Sequence, residues 1–136
     1  MTDDQRQTIF PALRYRDADT AINWLGSAFG FEAKTVHRGE DGSVQHAELR
    51  LGSNLVMLGE AREDGWMGGE APEPLRSTTS LYVVVPEPDE LHTRAVAAGA
   101  DVVRALEDMD YGSREFSVRD LEGNLWSFGT YDPFAA

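Results

Sequence analysis

Three histidines and 24 acidic side chains supply most of the groups in this 136-residue chain that could move a proton or bind a metal. Two of them, His46 and Glu48, are two positions apart in a segment where apolar and polar residues alternate. Side chains two apart in a β-strand share a face. Because a neighbouring carboxylate tunes an imidazole, the pair suits general acid–base chemistry. If the protein is an enzyme, His46 and Glu48 are the candidate catalytic residues.

Other catalytic arrangements have little support in the sequence. Ser80 and Ser127 have no histidine and aspartate in a triad-like pattern around them. His37 ends a predicted strand and His92 falls within a predicted helix, and we expect both at the surface. The segment G-W-M-G-G lacks the lysine of a phosphate-binding loop. The chain contains no cysteine, so a disulfide or a thiol nucleophile is excluded.

The net charge of −12 limits the classes of partner. Nucleic acids and anionic membranes select basic surfaces, so we expect neither as a partner. The charge would attract a cationic ligand, although it could serve solubility alone. No apolar run approaches the roughly 20 residues that span a bilayer. The polar start M-T-D-D-Q-R-Q-T does not resemble a signal peptide, and we expect a cytoplasmic protein.

The elements that position these side chains follow the same order in both halves of the chain. Asp17 is the predicted N-cap of the first helix, and Gly30 and Gly99 are placed to end a helix in each half. Each half therefore predicts one strand, one helix and three further strands, a βαβββ module. The predicted strands are 9–15, 31–37, 44–51 and 55–58, then 79–85, 101–106, 114–119 and 125–131; the predicted helices are 18–29 and 90–98.

A glycine- and proline-rich segment separates the two halves. We predict one domain over residues 1–136, with a first module at 8–60, a loop at 61–77 and a second module at 78–132. A loop of this length is uncommon unless it is a lid, a binding loop or a linker. The segment around Trp66 has no apolar periodicity that would place this ring in a core. Trp66 could therefore stack on a planar ligand, hold a cation or pack in a dimer contact.

The last strand carries a resemblance to a known family. Residues 120–131, D-L-E-G-N-L-W-S-F-G-T-Y, form a turn followed by strict alternation, with Trp126 and Phe128 on one face. The stretch resembles the closing strand of the vicinal oxygen chelate superfamily, which includes glyoxalase I, bleomycin-resistance proteins, fosfomycin-resistance enzymes and extradiol dioxygenases. The usual pattern is D-P-x-G-N, and Leu121 here replaces the proline. The resemblance implies an α+β fold in which two tandem βαβββ modules form a paired half-barrel around a cleft.

The resemblance also implies where a metal would bind. Metal-dependent members hold a divalent ion with His, Glu or Gln at four strand positions. The corresponding residues here are Phe10, Met57, Ser80 (or Thr79, if the register shifts by one) and Ser127. These side chains are poor ligands for a divalent ion, so we expect no metal cofactor. A shifted site that uses His46, Glu48 and Glu60 remains the alternative.

The cleft that the resemblance implies would have an apolar and aromatic lining with a few polar groups, as small-molecule sites do. Phe10, Leu55 and Met57 could instead fill a core. The residues predicted to point inward are Phe10, Ala12, Arg14, His46, Glu48, Arg50, Leu55, Met57, Ser80, Tyr82 and Ser127, with Trp66, Met67 and Tyr111 at the mouth.

The resulting functional prediction is a metal-independent binding protein. It resembles the bleomycin-resistance proteins, which look like small acidic dimers that sequester a drug without chemistry. We therefore expect a homodimer that binds an aromatic or cationic compound such as an antibiotic. One alternative is a divalent-metal lyase, isomerase or dioxygenase of the same superfamily. Another is a structural or regulatory member whose cleft is filled by side chains.

Overall fold

The computed structural model describes residues 7–61 and 79–135. Contacts divide the described residues into two compact units, one of residues 7–26 and 30–61 and the other of residues 27–29 and 79–135. Trp66 and Met67 lie outside the described residues. In the described part of the chain, no helix is long and apolar enough to cross a membrane.

The first module contains a four-stranded mixed sheet with the order β1-β4-β3-β2. Strand β1 runs parallel to β4, and the other neighbours are antiparallel. Its buried face carries Tyr15, Ala47, Leu49, Val56 and Leu58. The elements are β1 (Ala12–Tyr15), α1 (Ala18–Phe29), β2 (Glu32–Arg38), β3 (Val44–Leu51) and β4 (Asn54–Glu60).

Both ends of α1 are fixed by the residues that the sequence indicated. Asp17 is the N-cap, and its Oδ1 accepts a hydrogen bond from the backbone N–H of Thr20 at 3.1 Å. This bond satisfies one of the donors that a helix leaves free at its start. At the other end, Gly30 has a φ of 89°, the left-handed conformation that ends many helices and that glycine adopts without strain.

The second module repeats the arrangement with the sheet order β5-β8-β7-β6. Its core contains Phe116, Val118, Trp126 and Phe128, all at most 1% exposed. Phe29, at the end of α1, belongs to this unit and packs with its ring centroid 4.8 Å from that of Phe128. The elements are β5 (Ser80–Val84), α2 (Pro88–Ala97), β6 (Asp101–Asp108), β7 (Arg114–Arg119) and β8 (Leu125–Gly129).

The predicted α+β fold with two βαβββ modules is confirmed, with shifts at several boundaries. Strand β1 begins at Ala12 rather than at Ile9, because Pro11 has no N–H to donate to a ladder. Helix α2 begins earlier than predicted, at Pro88, whose fixed φ suits the first helical position. The predicted surface position of His92 is wrong: it is half-buried, with its ring edge-on to Phe116 at a centroid distance of 5.1 Å.

A buried carboxylate organises the turn between β7 and β8. Asp120 is 7% exposed. Its Oδ1 accepts the backbone N–H groups of Glu122 at 3.0 Å and Asn124 at 3.1 Å, and its Oδ2 accepts the indole N–H of Trp126 at 3.0 Å. One side chain thus closes the turn and fixes the ring at the centre of the module's core.

We predict that Asp120→Ala lowers the free energy of unfolding by about 2–4 kcal/mol, because buried N–H groups lose their acceptor. Urea denaturation followed by circular dichroism measures this loss. Asp132→Ala is the matched control, since among residues 7–61 and 79–135 its carboxylate accepts only the exposed backbone N–H of Phe134. Equal stability of the two variants would contradict the role assigned to Asp120.

Candidate functional site

The first module presents four of the predicted site residues on the sheet face opposite its buried residues. Met57 pairs with Ala12 on one side and with Glu48 on the other, and Arg14 pairs with Gly59. Since directly paired residues share a face, Arg14, His46, Glu48 and Met57 lie on the same face, as the alternation predicted. Phe10 lies just before β1 and is 36% exposed.

The predicted acid–base pair is formed on this face. His46 Nε2 and Glu48 Oε2 are 3.0 Å apart. The hydrogen bond with His46 lowers the pKa of Glu48, and Lys34, whose Nζ is 3.5 Å from Glu48 Oε1, adds to the effect. His37, on the neighbouring strand, stacks on His46 with a ring-centroid distance of 6.1 Å. The arrangement could accept or donate a proton at an imidazole nitrogen.

The shifted metal site is wrong, because its third residue lies on the other face. Glu60 is an odd number of positions from Met57, so the two side chains point to opposite sides of β4. The Oε2 of Glu60 lies 3.4 Å from the backbone N of Ala18, at the start of α1. His46, Glu48 and Glu60 therefore do not converge on one ion. Among residues 7–61 and 79–135, no group of three or more His, Asp and Glu side chains is placed to hold a metal.

The four positions that the family resemblance gave for a metal also lack suitable donors. Phe10 offers no donor atom, and Met57 offers a thioether, a soft ligand. Ser80 is exposed at the start of β5. The hydroxyl of Ser127 is 2.7 Å from that of Ser117, so it already has a hydrogen-bond partner. These residues do not fit the divalent ion that metal-dependent members of such a family would hold.

The second module brings Tyr82 and Ser127 together. They are directly paired across β5 and β8, and Ser117 pairs with Ser127 from β7. The hydroxyl of Tyr82 donates to the backbone carbonyl of Tyr131 at 2.8 Å. The same sheet face continues to Gly129, where an added Cβ would approach the Tyr82 hydroxyl to 2.8 Å and the Glu115 Cγ to 2.5 Å. Glycine therefore leaves the space that these two side chains use.

A buried glutamate lies at the end of this face, and the sequence reasoning missed it. Glu115 is 4% exposed. Its Oε1 accepts a hydrogen bond from the hydroxyl of Tyr111 at 2.9 Å and another from Arg104 Nη2 at 2.9 Å. The alternation of β7, in which Glu115 and Ser117 oppose the core residue Phe116, contained the signal that places it beside Ser127.

This cluster shifts the pKa of three of its members. Burial raises the pKa of Glu115, but hydrogen bonds from Ser113, Tyr111 and Arg104 outweigh burial, and the net pKa is lowered. The hydrogen bond to Glu115 raises the pKa of Tyr111. Burial raises the pKa of Tyr82, and the negative charge of Glu115 contributes. The carboxylate is thus held ionised beside two protonated phenols.

Comparison with known proteins identifies the family. Residues 9–128 match the model of the Glyoxalase/Bleomycin resistance protein/Dioxygenase superfamily. The chain belongs to this superfamily. An uncharacterised protein of Mycobacterium bovis is 34% identical over 122 residues, which cover 88% of this chain and 80% of that protein. An uncharacterised protein of Mycobacterium tuberculosis is also 34% identical, over 88% of this chain and 71% of its own length.

Solved structures of other superfamily members have the same fold. TioX from Micromonospora sp. ML1 is 34% identical with a TM-score of 0.74, over 90% of this chain and 97% of TioX. The fosfomycin resistance protein FosX from Mesorhizobium loti has a TM-score of 0.65 over 99% of this chain and 98% of FosX. At 12% identity, FosX shows the likeness of fold alone. The family resemblance of the last strand is confirmed, and the special likeness to metal-free members stays a prediction.

We predict that Glu115→Gln removes part of the acid sensitivity of folding. The folded-state pKa of Glu115 is lowered, so its contribution to stability is present above the ordinary pKa of 4.5 and is lost as the pH falls through the folded-state value. Wild-type protein should lose stability more steeply than Glu115→Gln below this pH. Urea denaturation across an acidic pH series measures the slopes, and Glu40→Gln in an exposed turn is the control. Parallel curves for wild type and Glu115→Gln would contradict the assignment.

Proposed function

We propose that this protein binds a small aromatic or cationic compound, such as an antibiotic, without a divalent metal and without chemical change. The observation that carries the proposal is the set of side chains at the family's metal positions, Phe10, Met57, Ser80 and Ser127. One has no donor atom, one is a thioether and two are hydroxyls, so the set suits an organic ligand better than a divalent ion.

The exposed sheet faces of the two modules support the proposal. The first offers the thioether of Met57, which pairs with Glu48, and on the same face Arg14 and His46. The second offers the ring of Tyr82 next to the hydroxyl of Ser127. Apolar and aromatic surface with a few placed polar groups is the usual composition of a small-molecule site. A homodimer in the cytoplasm, with no nucleic-acid or membrane partner, completes the proposal.

A second candidate function is an enzyme that uses His46 and Glu48 as an acid–base pair. The 3.0 Å hydrogen bond between them favours it. A hydrogen-bonded pair of this kind also occurs as an ordinary surface interaction, and no nucleophile lies in the same hydrogen-bonded group among the described residues. The binding function therefore comes first, and metal-dependent lyase, isomerase or dioxygenase chemistry would require donors other than those described.

We predict that protein purified without chelator contains far less than one divalent ion per chain by elemental mass spectrometry. Ni²⁺, Zn²⁺, Mn²⁺ and Fe²⁺ should leave the melting temperature unchanged, because no described donor set binds them. A panel of aromatic antibiotics should include compounds that raise it, since a ligand of the folded state stabilises by mass action. A content near one ion per chain, lost in His46→Ala or Glu48→Ala, would instead identify a metalloenzyme.

We predict that Tyr82→Leu weakens binding of such a compound by about 1–3 kcal/mol, because an aromatic contact is lost. Tyr82→Phe keeps the ring and should retain most of the affinity. Val84→Ala, an exposed residue on the same strand face, is the matched control. Trp66→Ala should weaken binding to a similar degree if Trp66 stacks on the ligand. Calorimetric affinities unchanged in both Tyr82→Leu and Trp66→Ala would remove these residues from the site.

A further inference from the structure

Two tyrosine side chains of the second module, Tyr82 and Tyr111, lie near the buried carboxylate of Glu115, and a third, Tyr131, contacts the ring of Tyr111. Tyr82, Tyr111 and Tyr131 are 39%, 55% and 41% exposed. Tyr111 and Tyr131 meet edge to face, with ring centroids 6.0 Å apart and an interplanar angle of 84°. Their ring faces are therefore at nearly right angles to each other. The negative faces of such rings attract a cation, and the attraction strengthens where water is partly removed.

The charge around this tyrosine cluster also favours a cation. Residues 79–135 contain four arginines and no lysine, against eleven acidic side chains. The end of β6 carries Glu107 and Asp108, and the turn that leads into Tyr111 carries Asp110. Arg114 is already held by Asp89 and Asp108, at 2.7 Å and 3.2 Å. An approaching anion would thus meet repulsion, whereas a cation would be attracted.

Arg104 already occupies the cation position beside Glu115. Its Nη2 donates to Glu115 Oε1 at 2.9 Å. Its Nε is buried and makes no hydrogen bond with any residue that the structure describes. The guanidinium of Arg104 is therefore held with an incomplete set of hydrogen bonds. A buried donor without a partner costs free energy, which weakens the hold of Glu115 on this arginine. Another cation could replace it at the carboxylate without breaking a complete network.

We propose that Tyr82, Tyr111, Tyr131 and Glu115 bind a planar organic cation, and that Arg104 holds the place of this cation while the ligand is absent. The inference rests on the proposed function, because it names the class of ligand and the residues that recognise it. A planar cation stacks on a tyrosine ring and places its charge near Glu115. A neutral aromatic compound would make the stacking contact only, because it has no charge to replace that of Arg104 at Glu115.

Three probes of similar shape and different charge test the class of ligand. N-methylquinolinium is a cation, quinoline is neutral near neutral pH, and 2-naphthalenesulfonate is an anion. We expect isothermal titration calorimetry to show the cation binding about ten-fold more tightly than quinoline, and the sulfonate most weakly. Equal binding of quinoline and N-methylquinolinium, or tighter binding of the sulfonate, would overturn the proposal.

Variants of the exposed tyrosines test the location. Tyr111→Leu and Tyr131→Leu should each weaken N-methylquinolinium binding about three- to thirty-fold, because a cation–π contact is lost. Tyr111→Phe keeps the ring and should lose much less. Val103→Ala is the control for an exposed side chain elsewhere on the same module. Cation binding that is unchanged in both leucine variants would place the ligand elsewhere and overturn the assignment.

A pair of charge-matched variants tests the role of Arg104. Arg104→Gln and Arg119→Gln each remove one positive charge from the second module, but only Arg104 contacts Glu115 in the structure. We expect Arg104→Gln to bind N-methylquinolinium about three- to ten-fold more tightly than Arg119→Gln, since the competing guanidinium is gone. Equal affinities would overturn this role. If circular dichroism shows that Arg104→Gln does not fold, Arg104→Lys is compared with wild type instead. Its affinity for N-methylquinolinium should then differ from that of wild type, because the lysine keeps a charge on a more flexible stem; equal affinities would overturn the role of Arg104.

The outcomes separate this inference from the proposed function. One outcome is that none of the three probes binds while an aromatic antibiotic still raises the melting temperature of metal-free protein. In that case the assignment of a cation site to the tyrosine cluster is wrong, and the proposed binding function stands. If the protein holds one ion per chain that depends on His46 or Glu48, the binding function fails. Tight cation binding that needs Tyr111 and Tyr131 would support both.

Discussion

The register of β8 against β7 is the constraint on which the second module depends, and the carboxylate of Asp120 fixes it. Its hydrogen bonds hold the turn at Glu122 and Asn124 and orient the indole of Trp126. A slip of one residue would move every side chain of β8 to the opposite face. Trp126 and Phe128 would then leave the core, and Ser127 and Gly129 would enter it. The same interaction thus determines what is buried and what the exposed face can bind.

The buried glutamate follows from that register. Gly129 lies opposite Glu115, and the absence of a side chain there leaves room for the carboxylate and for the Tyr82 hydroxyl. A buried carboxylate is stable only when hydrogen bonds and a counter-charge compensate for lost water. Tyr111 and Arg104 supply these from the turn and from β6. The polar cluster is therefore a consequence of strand pairing rather than a local property of any one segment.

The sequence predicted the strand faces, which depend on the alternation of residues along a strand. It missed the features that depend on which side chains meet in the folded chain. Alternation put His46 and Glu48 on one strand face and kept Tyr82 and Ser127 off the core faces of their strands, because strand pairing preserves the period of two. The pairing of Tyr82 with Ser127 came only from the structure. The prediction failed for Glu60, where β4 extends two residues beyond the predicted end and parity sends the side chain to the other face. The alternation of β7 gives the strand face of Glu115 but not its burial, since nothing local marks a charge as buried until Arg104 and Tyr111 are brought to it. His92 is a similar case, because its burial depends on the ring of Phe116.

The superfamily places different chemistry on one scaffold, so the side chains on the exposed faces must decide what this member does. A divalent ion needs several charged or imidazole ligands that converge, and the parity of β4 separates Glu60 from the pair that could have joined it. The second module has the opposite property: its carboxylate converges with phenol and guanidinium groups rather than with other carboxylates. Such a group repels anions and leaves ring faces open, and it places a replaceable cation beside Glu115. Recognition of an organic cation thus requires no group beyond those that already stabilise the turn, the strand pairing and the buried charge.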